Sequence, residues 1–161
     1  MNFRTLLYYS LVFIAVVIIQ TLLPNIIVVH HPVTLDLFLL YLTVIALTYN
    51  QLTAIVIGFI MGLIQDISTQ SYMLGAFAFM KSLTGYLLGG INNFKQIWGR
   101  KIRFLFVFGC YIIHFTVYHY IYLTRNHESL IIGVKLVLIH SLINMLVLWF
   151  IDKFIYQSKL V

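Results

Sequence analysis

Six long apolar runs occupy most of this 161-residue chain, and they constrain its fold more than any other feature. Hydrophobic residues make up 62% of the sequence and charged residues only 9%, which leaves too little polar surface to cover a soluble globule. A helix that crosses a bilayer needs about 20 mainly apolar residues. The sequence therefore predicts an all-α integral membrane protein, in which six transmembrane helices form one compact bundle and a single domain.

Short polar or turn-forming stretches separate the apolar runs and set their bounds. The predicted spans are residues 5–23, 34–48, 52–67, 73–91, 104–123 and 131–152. The first run has no small-residue cleavage site, so we interpret it as a retained span and not as a signal peptide. The single cysteine, Cys110, lies inside a span, which excludes an intrachain disulfide and a cysteine-built metal site.

The basic residues predict the orientation of the chain, because lysine and arginine concentrate in short cytoplasmic loops. If both termini are cytoplasmic, Arg125 is the one basic loop residue outside. The inside then holds Arg4, Lys95, Arg100, Lys101, Arg103, Lys153 and Lys159. Four of these form a predicted cytoplasmic basic patch in the loop from 92 to 103, namely Lys95, Arg100, Lys101 and Arg103. Anionic membrane lipids attract such a patch, and a cytoplasmic protein could also use it, whereas nothing indicates nucleic acid.

Two glycines four residues apart, Gly58 and Gly62, would let another helix approach the third span closely. We expect them to pack against the fourth span as an antiparallel hairpin. Asp66, at the outer end of the third span, has two interpretations. It is a polar helix end near water, or it faces the bundle interior and fixes a loop or a partner-binding surface. The candidates for partner binding or helix packing are Gly58, Gly62, Asp66, Gly75, Lys81, Gly85 and Gly89.

This part of the chain resembles a known family. The sequence GFIMGLIQD, a polar turn and then LGAFAFMKSLTGYLLGG is similar to the most recognisable segment of MreD, the small rod shape-determining membrane protein of bacteria. The matching positions are Gly58, Gly62, Asp66, Leu74 and Gly75. Weaker similarity includes Gln20, Pro24 and the stretch PVTLDLFLLYL from 32 to 42. The turn after Asp66 departs from the family, which often has a glycine and a small residue there.

The resemblance implies a non-enzymatic scaffold subunit of the bacterial cell-elongation machinery, located in the cytoplasmic membrane. Such a subunit would bind the single-span protein MreC and help couple MreB filaments to peptidoglycan synthesis by RodA and a penicillin-binding protein. The residues agree with this implication. The chain has no GxSxG-type serine, no HExxH motif and no paired carboxylates at catalytic spacing, so we expect no enzyme, cofactor or metal site.

The alternative function is the substrate-binding membrane subunit of an energy-coupling factor type vitamin transporter, which is also a small six-span protein. The bundle could be similar in fold, although similar folds would not imply similar functions. Polar residues in the outer half could line an outward-facing pocket, namely Asp36, Asp66, Lys81 and Lys135. The first span argues against this alternative, because it has an isolated Ala15 where those subunits commonly carry small residues four apart.

Lys81 lies near the middle of the fourth span, where a charged ammonium group is costly and a functional role is the default hypothesis. Snorkelling to the membrane surface is difficult at that depth. Asp66 is the nearest partner along the hairpin, and Asp36 at the start of the second span is the other candidate. We favour a structural ion pair over a role in transport.

Two histidines near the midpoints of the last two spans, His114 and His140, are predicted to meet at similar depth. Asn144 lies one turn from His140 on the same face of the sixth span. We interpret the three residues as an interhelical polar seam, in which a membrane hydrogen bond contributes about 0.6 kcal/mol on average. A metal site would need a third or fourth ligand, and the sequence suggests none nearby.

Overall fold

The computed structural model describes residues 3–22, 26–28, 31–33, 35–69, 74–94, 96–126 and 130–155, which form six α-helices and one short β-hairpin. The helices are α1 (Phe3–Leu22), α2 (Leu37–Thr48), α3 (Gln51–Ser68), α4 (Ala76–Asn93), α5 (Arg100–Asn126) and α6 (Leu130–Phe154). The predicted helical class and the number of helices are confirmed. Among the described residues, three helices are long and apolar enough to cross a membrane, namely α3, α5 over its first 21 residues and α6, and they indicate a membrane protein.

The helix bounds differ from the predicted spans mainly at α2, α4 and α5, and α4 begins at Ala76, three residues later than predicted. The second segment becomes helical at Leu37, three residues later than predicted, because Asp36 caps the helix there. Helix α5 begins at Arg100 instead of 104, since the carbonyl of Gly99 accepts hydrogen bonds from the amides of Ile102 and Arg103. Three of the four basic residues predicted in a loop, Arg100, Lys101 and Arg103, therefore lie in the first turn of a helix, which suits arginine and lysine as good helix formers.

Helix α2 lies at the centre of the molecule. Ten of its 12 residues are buried, in agreement with a sequence that is apolar on every face. The buried hydroxyl of Thr43 on this helix donates to the carbonyl of Leu39 at 2.8 Å and lies 2.8 Å from the Tyr111 hydroxyl on α5. The helix ends where Tyr49 becomes extended, and α3 starts two residues later.

Helices α3 and α4 form the predicted antiparallel hairpin, and glycine makes their close approach possible. A Cβ atom on Gly58 would lie 2.5 Å from the carbonyl oxygen of Lys81, and one on Gly62 would overlap the backbone of Ala78. From the other helix, a Cβ on Gly85 would lie 2.6 Å from the carbonyl oxygen of Ala54. Any larger residue at these positions would force the two backbones apart.

The same packing extends to the far end of the hairpin, where α3 begins and α4 ends. A Cβ on Gly89 would lie 2.7 Å from the Cα of Gln51, the first residue of α3. The side-chain amide of Gln51 also donates to the carbonyl of Tyr86 at 2.9 Å. Helix α3 therefore runs along α4 over nearly the full length of both helices.

The connection between α1 and α2 contains the short β-hairpin, which was not predicted from the sequence. Strands β1 (Ile26–Val28) and β2 (His31–Val33) are antiparallel, with Ile26 opposite Val33 and Val28 opposite His31. The predicted spans 5–23 and 34–48 leave this stretch as a loop, because Pro24, His30 and Pro32 interrupt the apolar pattern. A two-stranded ribbon has only edge strands, in which a proline such as Pro32 is tolerated.

Candidate functional site: a buried ion pair between α2 and α4

In the described part of the chain, an ion pair between two buried side chains joins Lys81 of α4 to Asp36 at the start of α2. The Nζ atom of Lys81 lies 2.5 Å from Oδ2 of Asp36. Lys81 has no exposed surface and Asp36 is 7% exposed, so both charges are withdrawn from solvent. Two carboxylates were considered as partners of Lys81, and in the structure its ammonium group pairs with Asp36 and not with Asp66. The ammonium group also lies 5.7 Å from the ring centroid of Phe38, at a distance suited to a cation–π contact.

His114 of α5 completes this group of charges. Its Nε2 atom lies 3.6 Å from Oδ2 of Asp36, and its Nδ1 atom lies 2.9 Å from the hydroxyl of Thr84 on α4. The Thr84 hydroxyl donates its one proton to the carbonyl of Met80 at 2.8 Å, so its oxygen is placed to accept a hydrogen bond from an Nδ1–H of His114. His114 thus links α5 to both Asp36 and α4.

The amino end of α2 is held by side chains from two other helices. The backbone amide of Asp36 donates to Oδ1 of Asn144 on α6 at 3.2 Å, and the amide of Leu37 donates to Oε1 of Gln20 on α1 at 2.7 Å. The carboxylate of Asp36 accepts from the amide of Leu39 at 2.9 Å, as an N-cap. Every amide named here would otherwise be an unsatisfied donor at a helix start.

We call Asp36, Lys81, Thr84, His114 and Asn144 the central polar cluster. All five side chains are buried, and they come from α2, α4, α5 and α6. Their hydrogen bonds join four helices at one level of the bundle. Removing one partner of an ion pair in such surroundings strongly destabilises the folded protein, because the other charge is left buried and uncompensated. The cluster can therefore fix the position of α2, and it holds its own charges in balance.

Asp66 has a separate task at the turn between α3 and α4. Its side chain is 1% exposed and accepts hydrogen bonds at 3.1 Å from the amides of Gly75, Phe77 and Ala78. These amides belong to the start of α4, where a carboxylate also interacts favourably with the helix dipole. Gly75 has a φ of +96°, a conformation that glycine adopts readily. Of the two interpretations of Asp66, the structure agrees with the second, in which the side chain faces inward and fixes a loop.

The histidine seam is arranged differently from the prediction. His140 pairs with His119, with Nε2 of His119 3.0 Å from Nδ1 of His140. In the described part of the chain no hydrogen bond joins His114 to His140. Instead the ring of Phe115 lies 5.2 Å from His114 and 5.1 Å from His140 between ring centroids. Asn144 does lie on the predicted face, and its amide donates to the carbonyl of His140 at 2.9 Å.

The predicted basic patch is only partly a free surface. Arg100 donates to Oδ2 of Asp152, at the end of α6, over 2.7 Å. Lys101 is exposed, whereas Arg103 is half-buried and its Nε atom donates to no acceptor in the structure. Lys95 lies outside the described residues. The three described residues therefore differ in what they can bind, and Arg103 is the one among them with an unsatisfied buried donor.

Three residues at these sites were missed by the sequence analysis, namely Thr84, His119 and Asp152. A helical spacing could have indicated two of them. Thr84 lies three residues after Lys81, on the same face of α4. Asp152 continues the four-residue spacing of His140 and Asn144 along α6, and all three are buried. His119 gave no such signal, because nothing in the sequence tells which histidine of α5 lies at the level of His140.

The described residues contain no group of three or more histidine, cysteine, aspartate or glutamate side chains placed to hold a metal ion. No family model, no curated protein and no solved structure matches the chain. The function must therefore be argued from the residues and their geometry.

Proposed function

We propose that this protein is a non-enzymatic membrane scaffold of the MreD type, which binds MreC within the bacterial cell-elongation machinery. The observation that carries the proposal is the α3–α4 hairpin. Four of the five matching positions have a defined place in that hairpin: Gly58 and Gly62 at the closest approach of the helices, and Asp66 and Gly75 at the start of α4. A rigid, preformed pair of helices suits a protein that positions others.

The same proposal includes six spans, both termini in the cytoplasm and location in the bacterial inner membrane. The supporting observation is that one end of the molecule gathers the basic residues. The ion pair between Arg100 and Asp152 brings the start of α5 to the end of α6, next to Lys153. The rings of Tyr9 and Tyr49, 5.4 Å apart, place the first part of α1 beside the α2–α3 turn, and Arg4 lies one turn before Tyr9. Positive charge at this end favours the cytoplasm.

Partners beyond MreC follow from the same proposal. A scaffold held by MreC would help couple MreB filaments inside the cell to RodA and a penicillin-binding protein. Asp66, however, is buried within the hairpin and bound to the start of α4, so any effect of this residue on partner binding would act through the shape of the hairpin.

The vitamin-transporter alternative has less support. Its argument requires Asp36, Asp66 and Lys81 to line an outward-facing pocket for a ligand. In the structure all three are buried and engaged, two with each other and one with the amides of α4. Lys135 is exposed on α6 and contributes nothing to such a group. Polar groups that already satisfy one another favour a structural role over ligand capture.

Coexpression tests the proposal directly. The tagged chain is produced with an MreC homologue from the same cell and, separately, with an energy-coupling ATPase module, and each preparation is purified in mild detergent. We expect MreC to coelute with the chain. Coelution with the ATPase module alone would replace the scaffold by the transporter subunit.

Two neighbouring substitutions serve as the matched pair in this test. Gly62→Leu would separate α3 from α4, and we expect it to abolish coelution of MreC. Ile60→Ala lies two residues away on the outer face, where Ile60 is 45% exposed. If coelution depends on the hairpin, Ile60→Ala should retain both the hairpin and its bound MreC. If the outer face of α3 is itself the contact with MreC, coelution of MreC falls while the yield of folded Ile60→Ala protein stays unchanged.

A further inference from the structure

An apolar groove runs between α4 and α5 at the basic end of the molecule. The volume of this open groove is about 690 Å³. Its walls include Tyr86 and Phe94 from the α4 side, Trp98 from the connection, and Phe106, Gly109 and Ile113 from α5. Three of the rings are stacked in a row, with Trp98 4.7 Å from Phe94 and 4.2 Å from Phe106 between centroids. Aromatic rings of this kind are typical of the boundary between membrane and water.

The length of the groove matches one leaflet of a bilayer. Its lining extends from Leu105 to Ile113 along α5, and at 1.5 Å per residue this is about 12 Å. The α4 side, from Tyr86 to the end of the helix, is similar. One leaflet contributes about 15 Å of hydrocarbon, half of the bilayer core. A transmembrane helix of a partner would need a groove about twice as long, whereas an acyl chain anchored at the basic end would fit.

A second, independent observation concerns Arg103, which does not line the groove itself but precedes the lining residue Phe106 by three positions on α5. Arg103 lies one turn before Phe106 on α5, so the two side chains share a face of the helix. The Nε atom of Arg103 is buried and donates to no acceptor in the structure. Buried donors are nearly always satisfied in proteins, and an acceptor bound beside Arg103 would satisfy this one. Phosphate is the acceptor that arginine recognises best at a membrane surface.

From the groove and this donor we infer that the α4–α5 groove is a binding site for one anionic phospholipid. The acyl chain would lie along Phe106, Gly109 and Ile113, and the phosphate would accept from Arg103. Charge complementarity selects an anionic lipid, because Lys101 is exposed nearby and Asp152, the acidic side chain at this end, is occupied by Arg100. This inference uses the membrane location but not the scaffold role, so either can fail while the other stands.

The groove contains its own probe, since Trp98 is one of only two tryptophans in the chain. With Trp149→Phe as background, Trp98 reports alone. The protein is placed in phosphatidylcholine vesicles that contain a small fraction of either brominated phosphatidylglycerol or brominated phosphatidylcholine, and quenching of the indole gives the relative affinity. We expect phosphatidylglycerol to bind about fivefold more strongly, the factor for one basic side chain near an anionic lipid.

Matched variants separate a site from general surface charge. Arg103→Gln should remove the preference for phosphatidylglycerol. Lys153→Gln removes the same charge at the same end, outside the groove, and should leave the preference intact. Gly109→Leu should weaken binding of both lipids by filling the groove, and it should fold, because a Cβ at Gly109 meets no atom within 4 Å.

Five results would overturn the inference. Equal quenching by the two lipids would show that no anionic lipid is selected. A preference that persists in Arg103→Gln would remove the phosphate contact, and a preference lost in Lys153→Gln would reduce the effect to surface charge. Protection of Trp98 from both lipids would show that protein, such as a second copy or a partner helix, covers the groove. If Arg103→Gln does not fold, Gly109→Leu decides, and unchanged quenching in that variant would contradict the site.

Discussion

At the scale of single residues, the pair of Lys81 and Asp36 explains how a chain with so few charges can bury them. An isolated charge at the bilayer centre costs roughly 2.5 to 3.5 kcal/mol on insertion scales. The pair, with His114 and Asn144 beside it, meets this cost through direct contacts among groups that have no access to water. The residues therefore stabilise the bundle only as a set.

We expect Lys81→Met to lower the free energy of unfolding by about 3–5 kcal/mol, because the Asp36 carboxylate would remain buried without its partner. Asp36→Asn should have a similar effect. The double variant should lose much less than the sum of the two. Equilibrium unfolding in mild detergent measures all three, and Lys135→Met, at an exposed position of α6, is the control that should change stability by less than about 0.5 kcal/mol. Additive losses in the double variant would contradict a direct pair.

Asp66 gives a second prediction at this scale. Asp66→Asn retains one acceptor oxygen where the carboxylate now accepts from three amides, so we expect a loss of about 1–2 kcal/mol, the range seen for helix caps. Asp66→Leu removes every acceptor and should lose more. Thermal unfolding followed by circular dichroism gives the comparison. If both variants unfold like the unaltered protein, Asp66 does not hold the start of α4.

At the scale of elements, the α3–α4 hairpin depends on glycine. Gly62→Leu would place a side chain where the backbone of Ala78 now lies, and we expect it to lower the free energy of unfolding by about 3 kcal/mol. Gly109→Ala is the matched control, since a Cβ at Gly109 meets nothing within 4 Å. The measurement is the melting temperature in detergent. A Gly62→Leu protein as stable as the control would show that the helices do not pack closely there.

The hairpin also shows what a sequence can predict. Gly58, Gly62 and Gly85 indicated the packing of α3 on α4, because glycine spacing along a helix is local information. The partner of Lys81 was not local. Asp66 is nearer along the chain, but it is occupied by the start of α4, and this leaves Asp36 on another helix. His119 was not predicted as the partner of His140 for the same reason. Which side chains lie at the same depth depends on how far each helix is shifted along its neighbours.

At the scale of the whole molecule, both the scaffold proposal and the lipid site depend on a bundle of six spans whose basic end faces the cytoplasm. Thiol accessibility tests this most directly. With Cys110→Ser as background, Lys101→Cys marks the basic end and Thr69→Cys marks the opposite end, and both parent residues are exposed. A membrane-impermeant maleimide is added to bacterial cells in which the reagent can reach the outer face of the inner membrane. Permeabilised cells, in which both positions should react, serve as the control.

We expect Thr69→Cys to react in intact cells and Lys101→Cys to react only after permeabilisation. The reverse pattern, or reaction at both positions from outside, would contradict the orientation on which the account rests.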